Sequence, residues 1–167
     1  MRTVALLTLV CSSMLVALFA APAPAAFAAG KARMDSTERH IVRAINRQRS
    51  NHGLARVSRS RPLARAADFH SSQMLTHNFF AHNSRDGSPF DRRVRRFAHH
   101  RTVGETLAML GGGCGRGSAR AFVRMWMNSA GHRAILLSAG YGRVGVGKRI
   151  GSLGSGRACV VTADFGG

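Results

Sequence analysis

Residues 122–137 read FVRMWMNSAGHRAILL, and this stretch combines a helical pattern of apolar side chains with Ser129 and His132. The side chains at helical spacing, which predict one face of an amphipathic helix, are Phe122, Met125, Trp126 and Ser129. His132 comes three residues after Ser129, so the two would share a face if the helix were continuous. Gly131 lies between them and leaves this continuity open, and residues 134–137 predict a short further turn of helix.

The sequence before this stretch predicts three more helices, of which the first has a clear beginning and end. Asp35 and Glu38 form a capping-box pattern, and the helix is expected to run to about Asn51, where His52 and Gly53 follow. The arginines expected on its faces away from the apolar stripe are Arg39, Arg43, Arg47 and Arg49.

The second and third helices are predicted from apolar spacing as well. The second opens with Pro62 in its first turn and ends near His77. Its buried face is predicted to hold Leu63, Ala67, His70 and Met74. The third is short and has Phe90, Val94 and Phe97 on one side. The arginines expected to coat its far side are Arg92, Arg93, Arg95, Arg96 and Arg101.

Strand patterns follow in the second half of the chain. They lie at residues 103–110, around Val144 and Val146, and at residues 158–165. A turn rich in glycine and serine, residues 151–156, joins the last two, and a glycine-rich loop leads to Ser118, which is predicted as a helix N-cap. Helices followed by a hairpin favour an α+β fold, with helices packed on a small, mainly antiparallel sheet.

Composition limits the function as much as the fold. The 167 residues fit a single domain, and 25 Lys+Arg against 7 Asp+Glu give a formal charge of +18. Almost all of the positive charge is arginine, and such a surface attracts anionic envelope polymers and lipids. Specific nucleic-acid binding is not predicted, because few aromatic side chains accompany the basic ones. Seven carboxylates do not favour a carboxylate-rich metal cage.

Residues 1–28 have the pattern of a secretory signal peptide. Arg2 precedes an apolar run from residue 4 to residue 19, and residues 26–28 form an A-x-A exit. The run has about 16 residues, fewer than the roughly 20 that span a bilayer, so a membrane anchor is not expected. We therefore expect a secreted, extracellular protein that does not span the membrane after cleavage.

Removal of that segment leaves two cysteines, Cys114 and Cys159. In an oxidising compartment, an even number of cysteines predicts a disulfide bond between them. A catalytic thiol is the alternative, but neither cysteine has a neighbour that would lower a thiol pKa.

Four dispersed polar residues are the candidates for chemistry: His82, Glu105, Ser129 and His132. Glu105 lies in an apolar segment, where a carboxylate needs a partner, and imidazoles are natural partners because a ring N–H can donate to it. A purely structural His–Glu network is the alternative interpretation. His70 is expected to pack on its helix stripe, whereas His99 and His100 are expected at the surface.

Several common signatures are missing. Residues 142–148 resemble a phosphate-binding loop, but Arg149 stands where that motif needs a serine or threonine. The chain contains no G-x-S-x-G element and no compact zinc signature.

Taken in order, several short motifs resemble those of bacterial members of the CAP superfamily, which comprises cysteine-rich secretory proteins, antigen 5 and pathogenesis-related proteins. The matching motifs lie at residues 46–49 with 53–54, 79–82 with 86–87, 104–105, 126–136, 145–147 and 164–166. The resemblance extends from about Ser36 to Phe165. It divides the chain into a signal peptide (1–28), a short flexible N-terminus (29–35) and a CAP domain (36–167).

The resemblance implies an α-β-α sandwich with a central cleft that holds two histidines and acidic partners. His82 and His132 match the two histidines, and Glu105 matches one acid. Ser129 stands where the animal and plant branches have a second glutamate. Some relatives bind a divalent metal through the two histidines, so His82 and His132 are candidate ligands for an ion such as zinc, although no cofactor is required.

Two functional hypotheses follow. The first is a secreted, non-enzymatic CAP-domain binding module that takes a lipid, an envelope polymer or another anionic ligand in the His/Glu cleft. The alternative is a secreted hydrolase of protease or esterase type, with Ser129 as nucleophile, His132 or His82 as base and Glu105 as orienting group. A divalent-metal-binding cleft is the third possibility.

Overall fold

A computed structural model of the chain describes residues 34–115 and 117–167. The signal peptide predicted for residues 1–28 lies outside these ranges. The helices and strands follow in the order α1 (Ser36–Asn51), β1 (Ser58–Arg59), α2 (Arg61–Thr76), α3 (Phe90–Arg95), β2 (Val103–Gly111), α4 (Ser118–Asn128), α5 (Ala130–Leu136), β3 (Arg143–Leu153) and β4 (Gly156–Gly166).

The four strands form one sheet in the order β1-β3-β4-β2. Both long pairings are antiparallel, and the short β1 strand pairs in parallel with the start of β3, so the sheet is mixed. A two-residue turn that begins at Gly154 (φ 61°) joins β3 to β4, as in hairpin turns with glycine at the first position. The predicted α+β class is confirmed. Strands β3 and β4 are longer than expected, however. They include residues 151–153 and 156, which were expected to belong to the turn.

Alternation along β4 divides the core into two layers. Cys159, Val161, Ala163 and Phe165 belong to a cluster with residues of α1 and α4, among them the fully buried Trp126. The alternate residues face α2, where Val160 packs on Met74 and the Thr162 hydroxyl lies 2.9 Å from the Ser71 hydroxyl. Helices therefore cover both faces of the sheet, which is an α-β-α sandwich.

Helix α2 lies directly on β3 at two glycines. A methyl group added at Gly145 would overlap the backbone of Leu63 and Ala64, and one at Gly147 would overlap the backbone of Ala67 and Asp68. The absence of side chains at these two positions thus sets the distance between helix and sheet.

Helix α1 begins with the predicted capping box, in which Asp35 accepts from the Glu38 N–H and Glu38 accepts from the Asp35 N–H. The prediction for Arg49 was wrong. Its guanidinium is buried and donates to the carbonyls of Ala55, Leu136, Ser138 and Tyr141. The reason is that these carbonyls belong to loops and a helix end, where few backbone N–H groups are available, and a guanidinium has five N–H groups to offer them.

The expectation for Ser118 was also wrong. Ser118 is not the N-cap; it is the first, buried residue of α4, and Gly117 (φ 96°) occupies the cap position without a side-chain bond. The helical turn expected at residues 134–137 is present through Leu136, and it belongs to a longer helix, α5, that already begins at Ala130.

The predicted disulfide links Cys114 to Cys159, with the two Cα atoms 5.6 Å apart. It joins the glycine-rich loop to the first half of β4 across 45 residues. In the chain-entropy picture, a loop of that length is worth about 4 kcal/mol of stability. Among the described residues, no helix is long and apolar enough to cross a membrane.

Candidate functional site

Four different segments hold the predicted site residues. His82 lies in the connection between α2 and α3, Glu105 on β2, Ser129 between α4 and α5, and His132 on α5. Because β2 is an edge strand, its outer side is open to the loop before α3 and to α5. The structure brings His82, Glu105 and His132 together at this edge.

Glu105 is the anchor of the group. Its side chain is fully buried, and one carboxylate oxygen accepts from His82 Nδ1 at 2.9 Å. The other oxygen is ion-paired with the guanidinium of Arg93, which is buried as well. The expectation that an imidazole would partner Glu105 agrees with this contact, but it missed the arginine.

Arg93 was placed on the exposed side of α3, and the structure shows the opposite. It is 2% exposed, and besides Glu105 it donates to the His82 carbonyl at 3.0 Å and to the Ser84 hydroxyl at 3.2 Å. A buried carboxylate needs a compensating charge, and the guanidinium of Arg93 on α3 supplies it. Arg93 thus neutralises Glu105 and also holds the loop that carries His82.

His132 approaches His82 from α5. The two Nε2 atoms are 3.4 Å apart, and the ring centroids are 5.6 Å apart. The His82 side chain is 45% exposed, and His132 is half-buried. Burial and the neighbouring His82 lower the pKa of His132, so this ring is neutral near pH 7.

The neutral state of His132 and the Glu105 contact define a directed chain. His82 Nδ1–H donates to the carboxylate, which fixes the tautomer and leaves a lone pair on Nε2. The 3.4 Å contact can then be a hydrogen bond when His132 carries its hydrogen on Nε2. The two imidazoles are thus the part of this polar network that solvent can reach, whereas Glu105 and Arg93 are buried.

Asp164 is a part of this network that sequence reasoning missed. It is fully buried, and it lies directly opposite Glu105 in the β2–β4 register, so both side chains project from the same face of the sheet. Burial, followed by the adjacent Glu105, raises the pKa of Asp164 well above its usual range. A neutral Asp164 does not repel the adjacent Glu105 carboxylate. The signal was available, because Asp164 is an acid within an apolar strand, just as Glu105 is.

His70 holds the loop that carries His82 from the side of α2. It is fully buried on the α2 stripe, as expected, and its Nε2 donates to the Ala81 carbonyl at 2.8 Å, next to His82. Burial lowers the pKa of His70 to about 4, so the ring is a neutral structural donor.

Ser129 behaves differently from the other three candidates. It stands at the break between α4 and α5 in an extended conformation (φ −98°, ψ 119°), so it does not continue one helix face with His132. Within residues 34–115 and 117–167, its hydroxyl makes no hydrogen bond to either imidazole.

The α-β-α sandwich, with two histidines and a buried glutamate at the sheet edge, agrees with the arrangement that the resemblance to the CAP superfamily implies. The chain belongs to this family: the family model described as "Cysteine-rich secretory protein family" matches residues 42–165. The resemblance seen in the sequence is therefore confirmed.

Two relatives of Bacillus subtilis (strain 168) are similar in sequence. Uncharacterized protein YkwD is 32% identical over 66% of this chain, and Uncharacterized membrane protein YlbC is 34% identical over 67% of it. The matched region spans only 41% and 31% of those two proteins, respectively.

Solved structures agree on the fold. An extracellular protein of Bacillus anthracis containing an SCP domain is 26% identical, with a TM-score of 0.63 over 78% of this chain and 40% of the other. An outer surface protein of Borrelia burgdorferi is 16% identical, with a TM-score of 0.65 over 82% of this chain and 97% of the other. The second likeness is one of fold alone.

Proposed function

We propose that the chain is a secreted, non-enzymatic binding module whose cleft of His82, Glu105, Ser129 and His132 takes a polar or anionic ligand of the cell envelope. The observation that carries this proposal is the contact between two solvent-reachable imidazoles at 3.4 Å, backed by a buried carboxylate. The charges of Glu105 and Arg93 compensate each other inside the protein. The imidazole nitrogens are thus what the network offers to a ligand.

Location outside the cell is part of the proposal. It is supported by the signal-peptide pattern of residues 1–28, by the Cys114–Cys159 disulfide and by the high positive charge. The similar proteins described as extracellular or outer-surface proteins are consistent with it.

The hydrolase alternative lacks the hydrogen bond on which it depends. A serine nucleophile needs a base within hydrogen-bonding distance, whereas the Ser129 hydroxyl bonds to neither imidazole among the described residues. Turnover of ester or peptide substrates that disappears in Ser129→Ala would contradict the non-enzymatic proposal.

A divalent cation is the second candidate ligand, and the distance between the rings favours it. Two nitrogens that share a tetrahedral zinc ion at about 2.0–2.1 Å lie about 3.3 Å apart, close to the 3.4 Å between the two Nε2 atoms. The Glu105 contact at His82 Nδ1 is the outer hydrogen bond that orients a ligating imidazole.

The donor set for a cation is small. No group of three or more His, Cys, Asp or Glu side chains in the described part of the chain is arranged to hold a metal. His82 and His132 would hold the ion with water in the remaining positions, where a bound ion would supply Lewis acidity. Titration of the purified protein with zinc, compared with His132→Asn, tests this candidate.

The binding proposal is tested with protein lacking residues 1–28, isolated cell envelopes and vesicles containing phosphatidylglycerol. The double variant His82→Asn/His132→Asn is compared with His77→Asn/His99→Asn, which removes two exposed histidines elsewhere. We expect the first pair to lower affinity about tenfold or more, because two lost hydrogen bonds are each worth about 1 kcal/mol. Equal binding of the two double variants would contradict the cleft as the binding site.

A further inference from the structure

A second feature of the molecule, away from the imidazole cleft, is a groove lined with arginines. It has a volume of about 1020 Å³ and lies between α1, β1 and the start of α2. Its charged lining residues are Arg39, Arg43, Arg59 and Arg61. Strands β1 and β2 are opposite edges of the sheet, so this arginine groove is separate from the cleft that His82 and His132 form.

The positive charge in the groove is not compensated within the described part of the chain. None of the four guanidiniums is ion-paired with a residue in 34–115 or 117–167; Arg39 alone donates a hydrogen bond, to the Met34 carbonyl at 2.7 Å. The acids of the first α1 turn are engaged elsewhere. Asp35 is ion-paired with Lys148 at 2.8 Å, and the buried Glu38 accepts from the Lys148 N–H at 3.0 Å.

The start of α2 adds to this field. Ser60 caps the helix weakly, with its hydroxyl 3.4 Å from the Leu63 nitrogen, and no acid occupies the first turn. Arg59 and Arg61 flank the cap, although cations are unfavourable at a helix N-terminus by a few tenths to about 1 kcal/mol. An anion in the groove would relieve this repulsion and also meet the positive end of the helix.

The side chains that line the groove indicate which class of anion it can bind. Arginine forks match phosphate oxygens, and Arg39 and Arg43 are one helical turn apart, about 6 Å along α1. Spaced guanidiniums suit a ligand with repeated charges better than a single small ion. Among the described residues, no aromatic side chain lines the groove, so these residues provide no platform for stacking on nucleic-acid bases.

We infer that the arginine groove is a binding site for a flexible, base-free phosphate polymer, such as a polyol phosphate chain. This inference does not depend on the function proposed for the cleft, so an experiment that contradicts one of the two proposals leaves the other standing. Binding is electrostatic and hence weakens steeply with salt.

Inorganic polyphosphate is the probe, and its affinity is measured against salt concentration. Arg43→Gln/Arg61→Gln is compared with Arg120→Gln/Arg124→Gln, which removes two exposed arginines from α4. We expect the groove pair to lose affinity about tenfold or more and to lower the salt slope by about 1.4, the value for two lost phosphate contacts. The α4 pair should change little.

Two results would overturn the inference. Equal losses in the two double variants would mean that net charge alone binds the polymer. Equal or tighter binding of a single-stranded oligonucleotide at the same phosphate concentration would contradict the inference that the ligand is a phosphate polymer without bases. Arg43→Gln/Arg61→Gln should lose more affinity for polyphosphate than His82→Asn/His132→Asn, which separates this site from the cleft.

Arg61→Gln gives an independent readout. Without ligand it should raise the melting temperature by about 1–3 °C, because a cation leaves a helix N-terminus. With polyphosphate, the wild type should gain more stability than the variant. The same gain in both proteins would contradict a role of Arg61 in binding.

Discussion

Glu105 shows at the scale of one residue why the cleft has its form. A carboxylate on a buried strand is tolerated because Arg93 supplies a permanent opposite charge and His82 supplies a hydrogen bond. Arg93 comes from α3, and His82 comes from the connection between α2 and α3. The exposed imidazole is thus oriented from inside the protein, and its free Nε2 points to His132.

Asp164 provides the test of this buried charge balance. Burial raises the pKa of Asp164, so the folded state is more stable while this carboxyl is neutral than when it is ionised. That stability is fully present below the ordinary aspartate pKa of about 3.9 and is lost as pH rises through the raised value. The substitution Asp164→Asn keeps the shape of the side chain and removes its ability to ionise. The free energy of unfolding of this variant, relative to the wild type, should therefore increase from about pH 4 to pH 7. One pKa unit corresponds to about 1.4 kcal/mol.

Urea denaturation at several pH values measures that difference. Asp86→Asn is the control, because the Ser88 hydroxyl and N–H lower the pKa of this exposed carboxyl. Its relative stability should therefore stay level or fall over the same range. A difference between Asp164→Asn and wild type that does not change with pH would contradict a neutral Asp164.

The residue-level limits of sequence reasoning have a physical cause. Glu105 was recognised because a charge in an apolar strand is anomalous. Arg49 and Arg93 were misplaced because arginine periodicity on a helix does not distinguish a solvated face from one that meets buried carbonyls or a buried carboxylate. Such partners come from segments distant in sequence, and only the folded chain brings them close.

At the scale of elements, local patterns predicted most boundaries well. The α1 capping box, the proline at the start of α2 and the β3–β4 hairpin are encoded within a few residues, and the structure contains each of them. Strand β1 was not predicted. Its two residues gain their pairing only from β3, more than 80 residues later in the chain.

The contact between α2 and β3 gives a prediction at this scale. Gly147→Ala should destabilise the fold by about 3 kcal/mol or more, because the methyl group would overlap helix backbone that cannot rotate away. Gly156→Ala is the matched control, since nothing lies within 4 Å of a Cβ there. Chemical denaturation should show a change of at most about 0.5 kcal/mol in the control, and similar losses in the two variants would contradict direct backbone packing.

At the scale of the whole molecule, the sheet separates two surfaces of different chemistry. The imidazole pair lies at the β2 edge, and the arginine groove lies at the β1 edge. The α-β-α sandwich keeps both on one rigid scaffold, and the Cys114–Cys159 disulfide ties the loop before α4 to the central strand β4. The overall arrangement followed from the family resemblance, whereas composition had indicated only a basic domain and the order of the predicted elements only the α+β class.

The central claim is that His82 and His132, fifty residues apart in sequence, form one directed pair held by Glu105. Nitrogen NMR of the imidazole rings tests it most directly, on the wild type, His132→Asn and the control His77→Asn. The account predicts a His82 tautomer protonated at Nδ1 and a shift of its Nε2 resonance in His132→Asn but not in His77→Asn. A His82 ring protonated at Nε2, with a resonance unaffected by the loss of His132, would contradict it.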